Sequence, residues 1–167
     1  FKIDRAIIEK GQILITAKDK NFATSDVVIG SGTSSLRRAV QSLKTDEAGE
    51  LLADGETVEL SIDLNMDSPG KPAKKGVSHG HLLVHIVIGK EQPKEEDLVH
   101  KVGFEYGLMH ISKIRTFDLK NVEFMAKFTD ARQDPYIKLK FGDWEDKTHP
   151  KDQAGSDVLW DFLVMEC

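Results

Sequence analysis

Apolar and polar residues alternate along several short runs of this chain, the signature of strands with one face on a core and the other in water. The clearest run is Thr57-Val58-Glu59-Leu60-Ser61-Ile62-Asp63-Leu64, where Val58, Leu60, Ile62 and Leu64 share a face. A second lies in Asp134-Pro135-Tyr136-Ile137-Lys138-Leu139-Lys140-Phe141-Gly142, with Tyr136, Lys138 and Lys140 on one side of the pleat and Ile137, Leu139 and Phe141 on the other. Pro135 locks φ and keeps the preceding residue extended, so Asp134 is fixed at a loop-to-strand junction at the mouth of a sandwich. Further strands are predicted over 12–17, 80–89, 107–116 and 157–166. Each needs the others to cover its apolar face, so the predicted class is all-β, an antiparallel β-sandwich.

One helix interrupts the strand pattern. Ser34 or Ser35 caps a short insertion near 35–44 in which Leu36, Ala39, Val40 and Leu43 form the apolar stripe, with Arg37 and Arg38 in solvent. Gly30-Ser31-Gly32-Thr33 lacks the remaining residues of a phosphate loop and reads as a turn. Residues 65–80 read as a loop holding Pro69, Gly70, Pro72 and a basic cluster of Lys71, Lys74 and Lys75. Residues 90–102, with Pro93 and the acidic Glu95-Glu96-Asp97, read as a linker, dividing the chain into 1–89 and 103–167. His79, His81 and His85 are spaced by two residues, which supplies no third and fourth zinc ligand, so they read as strand histidines.

Composition narrows the function. The chain has 167 residues, 40% hydrophobic and 31% charged, with a formal net charge of -5. That suits a globular domain with a core and gives no electrostatic footprint for nucleic acid. A lone Cys167 makes no internal disulfide, which points to a reducing compartment or simply to a free thiol at the chain's end, and no apolar run approaches the roughly 20 residues of a membrane span. The first residue is Phe1 rather than Met, which suggests an excerpt of something longer. There is no Gly-x-Ser-x-Gly, no His-Glu-x-x-His, no Cys-His arrangement and no nucleotide fingerprint, so the expectation is a non-enzyme.

The strand 107–114 leading to Asp118-Leu119, then Asp134-Pro135-Tyr136 and its strand, then Lys147-Thr148 and Trp160-Asp161-Phe162, resemble in this order the first half of a C2 domain, an antiparallel β-sandwich family often used for calcium-dependent membrane binding. The strand 12–17, the Asp19-Lys20-Asn21 triplet, Asp26, Ile29-Gly30 and the strand 80–89 resemble the second half. The second half therefore precedes the first. If residue 167 were followed by residue 1, Trp160 would precede Asp19 by about two dozen residues, the family's spacing. The resemblance thus implies a C2-like sandwich that is either permuted within one chain or completed across neighbouring units.

What the resemblance implies about a site follows residue by residue. Asp130 and Asp134 on one loop, with Asp19, Asn21 and Asp26 on another, would supply oxygen ligands for Ca2+. Asn21 stands where the family usually has a second Asp, and Asp130 lies four residues before Asp134 rather than six. An amide in place of a carboxylate weakens a calcium cage, so the implied site is weak. Phe22, Phe124, Met125 and Phe128 at loop tips, with Lys138 and Lys140 on the strand, would contact a membrane or partner. The expected function is a non-catalytic C2-like structural or interaction module, one unit of a tandem or head-to-tail assembly of neighbouring copies. The alternative is a calcium-dependent phospholipid-binding domain on an anionic membrane. The expected setting is cytoplasmic, with membrane or filament association.

Overall fold

The computed structural model describes residues 2–3, 10–21, 25–37, 56–75, 77–90, 107–123 and 131–161. Eleven strands are described: β1 (Lys2–Ile3), β2 (Gln12–Asp19), β3 (Val27–Ser35), β4 (Glu56–Asp63), β5 (Met66–Ser68), β6 (Lys71–Pro72), β7 (His81–Lys90), β8 (Gly107–Phe117), β9 (Pro135–Phe141), β10 (Trp144–Lys147) and β11 (Leu159–Asp161). They form two antiparallel sheets. One has the order β1-β8-β7-β4, with β11 also on β8; the other has the order β10-β9-β2-β3-β5-β6.

Alternation places the core. On β4, Val58, Leu60 and Ile62 are buried while Thr57, Glu59, Ser61 and Asp63 are exposed, as the run of alternating residues predicts. Leu82, Val84 and Ile86 of β7 and Ile111 and Ile114 of β8 extend the same layer. Ile13, Ile15 and Ala17 of β2, Ile29 of β3, and Ile137, Leu139 and Phe141 of β9 bury against it in one cluster, with Trp160. Each such aliphatic side chain taken out of water contributes about 1.5–3 kcal/mol, and interdigitation of the two layers defines the sandwich.

Strands from both sides of the 90–102 stretch occur in both sheets. β2 pairs with β9 over Ile13–Asp19, and β7 pairs with β8 from His81↔Phe117 to Lys90↔Gly107. Lys90, predicted as linker, is thus the last residue of β7; residues 91–102 lie outside the described residues.

Three further expectations change. Gly30-Ser31-Gly32-Thr33 is strand rather than turn, pairing Gly30↔Ala17, Ser31↔Thr16, Gly32↔Ile15 and Thr33↔Leu14. The glycines are needed there for closeness: a Cβ on Gly32 would lie 2.3 Å from the Asp63 carbonyl oxygen, and one on Gly30 would lie 2.5 Å from the His79 Cβ. Ser34 and Ser35 likewise belong to β3 rather than to a helix cap. Leu36 and Arg37 are helical, Leu36 fully buried, and the rest of the predicted helix lies outside the described residues. The loop over 65–80 carries the short pair β5 and β6, which turns at Pro69-Gly70.

β10 went unpredicted, because Trp144-Glu145-Asp146-Lys147 has one apolar residue and no alternation. Its strand identity comes from pairing with β9, Trp144↔Phe141 through Lys147↔Lys138. Charges along this edge discourage pairing with another chain.

Candidate functional site

Three predicted ligands meet at one end of the six-stranded sheet. Asp19 closes β2, Asp134 directly precedes β9, and Asp26 directly precedes β3; the pairings Asp19↔Val27 and Asp19↔Pro135 place them at neighbouring strand ends. The three-way meeting follows from β2 lying between β3 and β9.

Asp19 is only 2% exposed, and its Oδ1 accepts the Asp134 N–H at 2.7 Å. Burial pushes its carboxyl up from the ordinary 3.8 to about 6; the bond from Asp134 N–H opposes this, and the negative charges of Glu123 and Asp134 add to it.

Asp26 has the opposite environment. Its Oδ2 accepts the Tyr136 hydroxyl at 2.7 Å, and its Oδ1 accepts Lys20 Nζ at 3.1 Å and the Asn21 N–H at 3.2 Å. Chiefly through Tyr136, these donors hold Asp26 down at about 2, while burial and the Asp26 carboxylate together push the Tyr136 phenol up. The Lys20 ammonium thus supplies positive charge directly to a carboxylate predicted to face calcium. Asn21 contributes its backbone N–H rather than an added anionic oxygen.

Asp134 ties the site to the segment that leads to β11. Its Oδ1 accepts the Gln153 N–H at 2.5 Å, and its carbonyl accepts the Lys20 N–H at 3.0 Å. Gln153 sits at φ 50, in the left-handed region, and its Oε1 accepts the Arg132 N–H at 3.1 Å. The buried Gln133 completes the clasp, Nε2 donating to the Gly155 carbonyl at 3.2 Å and Oε1 accepting the Val122 N–H at 3.3 Å.

Among the described residues, no group of three His, Cys, Asp or Glu side chains is arranged to hold a metal ion. Asp130, Phe22, Phe124, Met125 and Phe128 lie outside the described residues. Lys138 and Lys140 are on the outward side of β9, as predicted. Lys138 Nζ bonds Glu145 Oε1 at 2.5 Å, and Lys140 lies opposite Glu145 across the pair; Lys138 foremost, then Lys140 and Lys18, hold the Glu145 carboxyl below the usual carboxylate range.

The three histidines go three ways. His81 stacks on Phe117 at 4.8 Å, and His85 Nε2 meets Glu59 Oε2 at 3.3 Å. His79, expected as a partly exposed strand histidine, is instead buried just before β7, with Nε2 at 2.9 Å from Asp67 Oδ1.

Lys20, Glu123, Gln133, Tyr136 and Gln153 were not read as parts of this site. Tyr136 carried a signal: it is the first outward residue after Asp134-Pro135, so its hydroxyl must clear the end of a neighbouring strand. Gln133 and Gln153 carried none, since their roles depend on the path of 149–158 over the sandwich end.

The chain matches no family model, no curated protein and no solved structure.

Proposed function

We propose that this chain is a non-catalytic β-sandwich that works as a structural and interaction module, a unit that assembles with copies of itself, and that its loop-end carboxylates serve mainly as internal clasps. One observation carries the reading: Asp19, Asp26 and Asp134, the described carboxylates among the predicted ligands, are each engaged by the chain's own donors. Asp19 takes the Asp134 N–H, Asp134 takes the Gln153 N–H, and Asp26 takes Tyr136, Lys20 and Asn21. Calcium would have to displace these donors. A cage built by ligand charge count is weakened by that competition.

Isothermal titration of calcium into the protein at neutral pH tests this. Weak or unsaturable heats are expected. Saturable binding at low micromolar calcium, abolished by Asp134→Ala and Asp19→Ala, would replace this reading with that of a calcium sensor.

A second reading, an anionic membrane surface as partner, rests on the lysines. Lys18, Lys138 and Lys140 share the outward face of β2 and β9, with Lys147 opposite Lys138 on β10, in a chain of net charge -5. Each such lysine close to an anionic surface contributes about 1 kcal/mol. Sedimentation with vesicles containing phosphatidylserine, with and without calcium, separates this reading from the first.

A further inference from the structure

The outward face of the five-stranded sheet is ordered in rows, because β4, β7 and β8 pair in one register from His81 to His85, before a bulge in β8 shifts it beyond Lys113. Asp63, His81 and Phe117 form one row; Ser61, Leu83 and Arg115 the next, with Leu159 of β11 at its end; Glu59, His85 and Lys113 a third, ending in Asp161. The charges are sorted by strand. β4 presents Glu59 and Asp63, β8 presents Lys113 and Arg115, and β7 between them presents the half-buried Leu83 and Val87. Arg115 lies over the Phe117 ring at 4.6 Å.

We propose that this face binds the same face of a second copy, with a two-fold axis running along β7. Such an axis lays each row over its own counterpart and exchanges the sides. Glu59 of one copy then meets Lys113 of the other, Asp63 and Ser61 meet the Phe117 and Arg115 region, and Leu83 and Val87 meet themselves. An isologous contact needs this self-complementarity, and a face with anions on one side strand and cations on the other provides it. Aligned packing of two sheets about 10 Å apart accommodates the arrangement. The His85–Glu59 contact at 3.3 Å and the Lys113–Asp161 ion pair at 3.3 Å lie in the same row, so the partner's charges would extend a ladder already present.

The size of the face sets the strength. Four strands spaced about 4.8 Å and some seven residues long cover on the order of 450 Å2 per copy, or about 900 Å2 in total. That falls among weak, reversible interfaces rather than obligate ones. The proposal names the surface through which the assembly reading above would operate, and it rests on that reading.

Sedimentation equilibrium of the full chain from about 1 to about 200 µM tests both. A reversible monomer–dimer equilibrium is expected. Leu83→Arg, Glu59→Lys and Lys113→Glu should each weaken it at least about tenfold, and Glu59→Lys combined with Lys113→Glu should restore it. Circular dichroism confirms that each variant is folded. As an independent measurement, Leu83→Cys in a Cys167→Ser background should be cross-linked between copies by a bismaleimide whose spacer spans about 10 Å, the separation of packed sheets. Association untouched by these variants, with no such cross-link, would overturn this face while leaving self-assembly in place. A monomer at every concentration would overturn the face and self-assembly together.

Discussion

Asp19 and Asp26 sit at neighbouring strand ends and titrate in opposite directions, and the difference is one of donors. Asp26 has three donors, one of them a lysine, whereas Asp19 is buried with a single backbone N–H and faces Glu123. In the folded chain Asp19 takes up its proton near pH 6 rather than 3.8, so the folded state binds more protons between those values and Asp19 makes the protein more stable as pH falls through that window. Asp19→Asn keeps an oxygen for the Asp134 N–H and removes the buried charge. It should raise the melting temperature by a few degrees at pH 7, the gain shrinking toward pH 4, as thermal melts across that range will show. Asp19→Ala removes the acceptor as well and should cost about 1–3 kcal/mol at every pH.

Asp26 behaves the other way. Its stability contribution is present above the ordinary 3.8 and is lost as pH falls toward 2. Tyr136→Phe deletes the largest cause of that depression and should cost about 1.5–3 kcal/mol at neutral pH, the range for a hydrogen bond to a charged group, with less cost near pH 2. Urea unfolding at the two pH values measures both. The residue types and the junction at Pro135 were readable in advance. Whether each carboxylate would face water, a cation or a donor was not, because Lys20 and Tyr136 reach Asp26 only once β2, β3 and β9 lie side by side.

At the scale of elements, alternation identified β2, β4, β7, β8 and β9, since period-two burial is local and needs no knowledge of the partner strand. It failed where packing overrides local preference. β3 contains Gly30-Ser31-Gly32, a composition that favours turns, and is a strand because the backbone at Asp63 and the ring of His79 press against it. Gly32→Ala tests this account: a Cβ at 2.3 Å from the Asp63 carbonyl forces β3 and the end of β4 apart. A loss of about 3 kcal/mol or more is expected in urea unfolding, whereas Thr33→Ala, on the exposed side of the same strand, should fall within about 0.5 kcal/mol. β5, β6 and β10 were invisible for a simpler reason: strands of two to four residues hold too little pattern to register a period.

For the whole molecule, the informative feature is the edge of β8 that faces away from β7. β7 occupies one edge of β8 along its length, so β1 and β11 share the other, at Leu108–Gly107 and at Arg115–Lys113. Both run antiparallel to β8 and hence in the same direction as each other, so β11 points toward β1 along a single strand position. A peptide bond from residue 167 to residue 1 would therefore carry the chain forward along that edge, from Asp161 opposite Lys113 to Lys2 opposite Leu108. The opposite sequence gap, 91–106, joins Lys90 to Gly107, which are already paired neighbours. The order of segments that the C2 resemblance implies would correspond to moving the break from one of these places to the other, and the permuted arrangement is a proposal on that geometry. A circular permutant with 167 linked to 1 and opened within 91–106 should fold cooperatively, because it retains all eleven described strands and only relocates a chain closure, a change worth about 1 kcal/mol. Its far-UV dichroism should match the parent, and its denaturation should give one transition shared by Trp144 and Trp160, which sit in different sheets. A permutant that collapses without that shared transition would show that β1 and β11 are independent edge strands rather than two parts of one.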